Sequence, residues 1–505
     1  MITLIITEKP SSAKKIAEAL SESKPKKLSE DKVYYYKIKR DNKEIYVASA
    51  VGHLFTLSEK EKKGWTYPIF KIEWKPAYLV RKSADYTKKY YEVLKKLAQE
   101  SDEFIVATDF DTEGEVIGLN VIRFICNRKD AKRMKFSTLT NDELISSYEN
   151  PQKSLDWGQA NSGETRHFLD WYYGLNLSRA LSLSIKAAGS FKIMSTGRVQ
   201  GPTLNLLVER EKEIKKFIPT PYWLIELNTN KLNAFHKKDK FWEKKEAESI
   251  VTKTKNFPVI VKEIKKTIKK QNPPTPFDLT SLQLESYKQL NIQPKQTLQM
   301  AQDLYTKGYI SYPRTSSQKL PSSLGLKKIL EKLSKQLKYK DLIQRLPEKL
   351  TPNEGKKTDP AHPAIFPTGE IGKLSEKDFR LYDLIVHRFL AVFGEPAKRE
   401  TVSVELDVNN EIFVASGTRT IEKGWHTLYG KYARFEEQEF PKLSLNEKLE
   451  NKKVTLHSKE TQPPSRYNVA SVIKELEKKN LGTKATRSQI VDSLFQRYYI
   501  QEKSI

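Results

Sequence analysis

Apolar positions along the chain alternate between the period of strands and the period of helices. Leu4 to Thr7 form a short continuous apolar run ending in Glu8-Lys9-Pro10, the mark of a strand buried on both faces. Ser11 or Ser12 is then placed to cap an amphipathic helix through Ile16, Ala17 and Leu20. Residues 33–51 alternate as a hairpin does, with Asp41-Asn42 as its turn. A further helix is predicted over about 85–99. A second buried-type strand, Phe104-Ile-Val-Ala, runs into Thr108-Asp109-Phe110-Asp111-Thr112-Glu113-Gly114-Glu115 and a helix through Ile117, Val121, Phe124 and Ile125. Strand, acidic loop and helix thus occur twice, which predicts an α/β unit on a largely parallel sheet.

Residues 155–215 read as helical, with a break at Ser195-Thr-Gly-Arg-Val-Gln-Gly-Pro202. From 219 to 268 the pattern turns strand-like and closes on a connector, Asn272-Pro-Pro-Thr-Pro-Phe277. Helical pattern returns over 279–400, strands over 402–416 and on to about 457, and Pro463-Pro464 reopens a helical segment to the end. A helical stretch inserted between two strand-rich pieces would sit as a lobe on an arch. Asp303-Leu-Tyr-Thr-Lys-Gly-Tyr-Ile and Ser493-Leu-Phe-Gln-Arg-Tyr-Tyr-Ile each close a pair of helices, a faint internal repeat.

Charge narrows the partners. Lys and Arg number 89 against 63 acidic residues in 505, a formal net charge of +26. With no amphipathic anchor or apolar span beside it, that excess points to nucleic acid before membrane. The 24 Tyr, 21 Phe and 7 Trp supply core material and flat faces for unpaired bases. Cys126 is the only cysteine, which excludes disulfides and cysteine-based zinc sites within this chain and suits a reducing compartment. The first residues lack the features of a signal peptide, so the expected location is cytoplasmic and nucleoid-associated. No Gly-x-x-x-x-Gly-Lys-Ser/Thr loop occurs, which argues against an ATP-driven motor in this chain.

Two clusters carry candidate chemistry. A helix through Leu298, Ala301, Leu304 and Tyr305 is stopped by Gly308, and a short apolar run delivers Tyr312 to a turn set by Pro313, with Arg314 two residues on. A guanidinium beside a phenol can bind a phosphate under attack and favour phenolate character. A Tyr-Pro turn is ordinarily half-buried packing, so this reading needs support elsewhere in the chain. Asp109, Asp111 and Glu113, spaced by two past a strand end, supply it together with Glu8 at the other strand end. If those strands are neighbours, four carboxylates converge in the crevice where such sheets bind ligands. All-oxygen ligands suit Mg²⁺.

Glu8-Lys9-Pro10 followed by Asp109-x-Asp111-x-Glu113-Gly-Glu resembles the Toprim domain of topoisomerases, primases and related nucleases. Four further stretches resemble the type IA DNA topoisomerases: Ser195 to Pro202, Pro273 to Gln283, Gly308-Tyr-Ile-Ser-Tyr-Pro-Arg-Thr-Ser316, and Ala361-His-Pro-Ala-Ile-Phe-Pro-Thr368. Gly482-Thr-Lys-Ala-Thr-Arg487 fits the same family, and the wording is most similar to archaeal or topoisomerase III-type members. The matches run in family order from residue 8 to about 500.

The resemblance implies a multidomain α/β plus α and β torus: a Toprim (Rossmann-like) domain over 1–150, a helical DNA-binding base over 151–217 and 461–505, a strand-rich arch over 218–275 and 401–460, and a helical lobe over 276–400. It puts the nucleophile on Tyr312 and its partner on Arg314, with Glu8, Lys9 and His362 as further catalytic residues. Glu8, Asp109, Asp111 and Glu113 fall on the metal ligands, and Arg166, Asp170, Arg198, Gln200 and Arg487 on strand binding, where Trp171 would add a face for stacking an unpaired base. Two departures stand out. Thr112 occupies a position where many members have Arg, and none of the zinc-binding cysteine modules many relatives append follows Arg487.

The expected activity is ATP-independent relaxation or decatenation through a 5′-phosphotyrosine, with Mg²⁺ as cofactor and a single-stranded segment of negatively supercoiled or catenated DNA as substrate. The expected protein is a monomer with no membrane partner; RNA as a substrate and a helicase as a partner stay open. Two other classes remain at this point: a Toprim-type nuclease or primase using only the acidic site, and a basic DNA-binding protein without chemistry.

Overall fold

A computed structural model describes residues 2–61 and 64–501, so domain limits set at residues 1 and 505 lie outside the described residues. The N-terminal unit is built on a six-stranded sheet in the order Lys26–Glu30, Val33–Arg40, Lys43–Ser49, Ile2–Thr7, Glu103–Val106, Lys132–Arg133. The last four strands run parallel and the first two are added antiparallel, so the sheet is mixed. Strand periodicity divides the first strand between two cores. Leu4 and Ile6 pack with Val93, Leu97 and Val121, whereas Ile5 faces Ile16, Ala17 and Leu20.

The expected serine cap is absent. The helix Pro10–Leu20 begins on Pro10 itself, behind Lys9, and no side chain caps it. Proline's fixed φ and missing N–H suit the first helical position, and Ser11 and Ser12 lie inside the first turn. The Asp41-Asn42 turn forms as expected, both residues left-handed at φ 50 and 57.

A seven-stranded antiparallel sheet follows, ordered Lys448–Leu449, Val259–Gln271, Ala397–Val408, Glu411–Glu422, Asn233–His236, Pro221–Thr229, Asn451–Glu460. Across it lies the helix Lys244–Thr254, within the stretch 219–268 that is expected to be strand-like. Its apolar face is only Ala247, Ile250, Val251 and Thr254 among lysines and glutamates, too narrow to stand out in the sequence.

Between strands 259–271 and 397–408 the chain makes the helices Leu279–Leu290, Pro294–Thr306, Leu326–Ser334, Leu337–Gln344 and Glu376–Ala391. Trp425, Leu428, Tyr429 and Tyr432, from the strand-rich stretch, pack into this same helical core. That core continues into the Ile5 face of the N-terminal sheet, so lobe and α/β unit share apolar contact. The helix Gln200–Lys216 packs through Leu207 on Val472, Leu476, Val491 and Leu494 of the two final helices, Val469–Lys478 and Arg487–Gln496. No helix among the described residues is long and apolar enough to cross a membrane.

Candidate active site

Because strands Ile2–Thr7 and Glu103–Val106 are parallel neighbours in register (Ile6 opposite Val106), their carboxyl ends emerge side by side. Glu8 and Lys9 leave one, Asp109 and Asp111 the other. Lys9 Nζ sits between them, 3.0 Å from Glu8 Oε1 and 2.9 Å from Asp109 Oδ2. Asp111 caps the helix Thr112–Phe124, its Oδ1 accepting from the backbone N–H groups of Glu113 (3.1 Å) and Gly114 (2.8 Å). The glycine is a packing necessity: a Cβ at Gly114 would lie 2.0 Å from the Asp109 carbonyl oxygen. From below, the fully buried Arg133 donates to the carbonyls of Thr108 (2.9 Å) and Asp109 (3.0 Å) and pairs with Glu115 at 2.8 Å. The loop that carries the acids is therefore held through its backbone.

The lobe meets this loop directly. After the helix Pro294–Thr306, Gly308 turns at φ +82 against the Leu139 carbonyl, and Tyr312 N–H then donates to Ser137 O at 2.8 Å. Tyr312 has no exposed surface, and its Oη donates to Asp111 Oδ2 at 2.5 Å. Arg314 Nη1 lies 4.0 Å from the same oxygen. Tyr305 donates to Asp109 Oδ1 at 3.2 Å and packs edge-on against Tyr312. The His362 ring lies 4.5 Å from that of Tyr312. Its Nε2 reaches Phe110 O at 2.9 Å, which only an N–H can do, so Nδ1 accepts from Ser137 Oγ.

Electrostatics follow from burial and from carboxylate crowding. Burial first, then Asp109 and Asp111, push Glu8 up to about 7, although Lys9 opposes. Lys9 is raised: burial works against its charge, but Asp109 and Glu8 outweigh it. Burial, with Asp111 and Asp109 beside it, drives Tyr312 well above the ordinary phenol despite Arg314. Burial lowers His362 to about 4, so it is a neutral ring. Tyr312 is thus a protonated phenol shielded from solvent, poised beside a carboxylate.

Of the residues expected at one site, Glu8, Lys9, Asp109, Asp111, Tyr312, Arg314 and His362 are brought together. Glu113 is not with them in the expected sense. Its carboxylate is taken up by His53 Nε2 (3.0 Å), His167 Nε2 (3.1 Å) and Arg166 Nη1 (3.1 Å). Arg166 pairs in turn with Asp170, and Asp170 with Arg198, so these three form a chain of alternating charge leading away from Glu113. Gln200 accepts from Arg497 Nη1 through Oε1 at 2.7 Å, and the half-buried Trp171 packs edge-on against Tyr172. Arg487, expected as a strand contact, is turned inward: it is buried and donates to the carbonyls of Leu481 and Gly482. A guanidinium so placed closes its own loop and offers little to a phosphate.

Sequence reasoning passed over Tyr305, Ser137, Arg133, His53 and His167. Only His53 carried a usable signal, one of seven histidines standing just past a strand end in Val51-Gly52-His53. The other four gain their roles from contacts far apart in the chain.

Comparison with known proteins matches residues 3–139 to the Toprim domain and residues 154–505 to the family described as DNA topoisomerase. The chain is 52% identical over 509 residues to DNA topoisomerase 1 of Methanocaldococcus jannaschii, spanning 99% of this chain and 66% of that protein. It is 49% identical to DNA topoisomerase 1 of Pyrococcus horikoshii, spanning 99% of this chain and 74% of that one. Its fold is similar to full-length topoisomerase I of Thermotoga maritima with a TM-score of 0.74 at 26% identity, over 99% of this chain and 79% of the other.

Proposed function

The chain belongs to the type IA DNA topoisomerases, and from that membership we propose that it relaxes or decatenates DNA by cutting and resealing one strand through Tyr312. The observation that carries the reading is the Tyr312 hydroxyl donating to Asp111, beside the Asp109 and Glu8 carboxylates that Lys9 joins. Tyr312 Oη attacks a backbone phosphorus of single-stranded DNA; the new O–P bond replaces the bond to the 3′ oxygen, which leaves as a hydroxyl. Asp111, already the acceptor of the phenol's proton, takes it as the bond forms. Glu8, raised to about 7, is protonated often enough at neutral pH to supply the departing oxygen and to take the proton back on resealing. Arg314 and Lys9 offset charge on the phosphorus oxygens in the transition state. His362, neutral and donating to the Phe110 carbonyl, holds that strand-end loop against the lobe and orients the Tyr312 ring.

A Toprim domain typically holds a divalent metal, and here Glu8, Asp109 and Asp111 fit one. Lys9 is shared between Glu8 and Asp109, Asp111 stands beside them with Arg314 at 4.0 Å, and the donors are all oxygen, which suits Mg²⁺. When bound, that ion would neutralise phosphate charge and favour resealing.

One phosphodiester replaces another, so bond energy is conserved and no ATP is consumed. We read the units 1–150, 151–217 with 461–505, 218–275 with 401–460, and 276–400 as a ring whose lobe lifts to admit a strand. Burial of Tyr312 supports this, since a strand reaches the phenol only once the lobe has shifted. A monomer in the cytoplasm acting on negatively supercoiled DNA, whose melting is easier, completes the reading. The test is a plasmid relaxation assay with wild type and Tyr312→Phe, with and without Mg²⁺, followed by mapping of the peptide that carries the trapped nucleotide. Relaxation by Tyr312→Phe, or an adduct on another peptide, would overturn it.

A further inference from the structure

We propose that His53, Glu113 and His167 form a second metal site, one that takes a borderline divalent transition ion of the Zn²⁺ class rather than Mg²⁺. His53 follows the strand Lys43–Ser49, Glu113 lies in the first turn of the helix Thr112–Phe124, and His167 projects from the long helix Trp157–Ala187. One ligand atom from each lies within 4.8 Å of the others. Both histidine Nε2 atoms point at a single oxygen, Glu113 Oε2, at 3.0 and 3.1 Å. Ligands at about 2.0–2.1 Å from a tetrahedral ion sit about 3.4 Å apart, so small side-chain shifts suffice.

The surroundings fix the ligands. Arg166 Nη1 holds the other oxygen of Glu113 at 3.1 Å, leaving Oε2 for the histidines. Trp74 packs edge-on against His167 and is itself anchored by donating to Glu164 at 3.0 Å. The helices carrying Glu113 and His167 are in close packing, because a Cβ at Gly163 would lie 2.4 Å from Thr112 O. Outer partners of this kind orient metal ligands. Side chains of His53, Glu113 and His167 remain 31, 27 and 28% exposed, so an ion has a path in and a coordination position open to solvent. Two imidazoles and one carboxylate favour zinc, cobalt or nickel, whereas the oxygen-only group at Glu8, Asp109 and Asp111 favours Mg²⁺. The two sites therefore differ in chemistry, and this one does not depend on the strand-cleavage reading.

The test uses the untagged, metal-stripped full chain in excess Mg²⁺, titrated with Co²⁺ and read by its visible d–d absorption, then competed with Zn²⁺. Wild type is expected to take up one equivalent with an intense tetrahedral-type spectrum that Zn²⁺ erases. His53→Gln and His167→Gln should each weaken uptake by at least about 10- to 100-fold, the range seen when merely an outer partner is lost. Asp109→Asn should leave the spectrum unchanged. Circular dichroism and a melting curve establish that each variant is folded, and Zn²⁺ should raise the melting temperature of wild type but not of His167→Gln. No tetrahedral spectrum in wild type, a spectrum that survives His167→Gln, or one lost in Asp109→Asn would overturn the proposal.

Discussion

Tyr312 Oη and Asp111 Oδ2 stand 2.5 Å apart, while the other oxygen of Asp111 caps the helix Thr112–Phe124. One carboxylate thus links the lobe's phenol to the backbone of the α/β unit. Removing either partner has distinct effects. Tyr312→Phe should abolish relaxation and covalent adduct, by more than about 10³-fold, with single-strand binding kept. Asp111→Ala should lose activity and also the helix cap, at a cost of about 0.5–2 kcal/mol. Relaxation gels beside urea melts of the two variants check this; equal stability loss in both would contradict the capping role.

Glu8 supplies a pH signature. Its carboxyl moves from an ordinary 4.5 to about 7 on folding, so the folded state gains from the proton. That gain is complete below about pH 4.5 and is lost as pH rises to about 7. In EDTA, Glu8→Gln should melt above wild type at pH 8, with the difference shrinking to little at pH 4. Calorimetry across that range reads it, and a difference independent of pH would refute the assignment. Single-turnover cleavage by wild type should fall as pH rises through 7, since fewer molecules then hold the proton for the leaving oxygen.

His362 should titrate in the opposite sense. Burial lowers it to about 4 from 6.5, so the stability it contributes is present above about pH 6.5 and lost as pH falls through 4. Its imidazole resonances in NMR spectra should accordingly show no titration between pH 5 and 8. His362→Gln, able to donate to Phe110 O, should keep more activity than His362→Phe.

Between the lobe and the final helices the contacts are polar. Lys484 pairs with the buried Asp359, and Lys357 bridges Asp278 and Glu477 at 3.0 and 2.9 Å. Lys484 holds Asp359 down to about 2, against the effect of burial. Lys484→Met leaves that carboxylate without its cation, at a cost of about 1–2 kcal/mol to the closed arrangement, or a factor of about 5–30 in the open fraction. Single-molecule energy transfer between labels on lobe and base would measure it. High salt should mimic the variant in wild type, less strongly because Asp359 is buried.

Much of this was readable in the chain because it rests on local pattern. The strand ends at Glu8 and Asp109, the Gly308 stop and the Asp41-Asn42 turn each follow from neighbouring residues. What escaped depends on tertiary closure. Lys244–Thr254 has too thin an apolar face to announce a helix. Trp425 to Tyr432 lie in a strand-rich stretch yet pack with the lobe, since only folding brings Asp383 to the hydroxyls of Tyr339 and Tyr432. Glu113 reads as one of a row of acids, but Arg166 and two histidines from distant segments claim its carboxylate.

The lobe's covalent attachments all pass one place. Gln271 pairs with Ala397, Lys398 with Glu422, and Gln438 N–H, on the returning chain, donates to Thr418 O. Three strands and the returning chain, at about 4.8 Å spacing, make a band about 14 Å wide. Such a ribbon bends readily across its thin dimension and resists stretching along its length. A pull on the lobe along those strands loads the ladder from 260–271 to 397–407 in shear, where every rung shares the force instead of unzipping in turn.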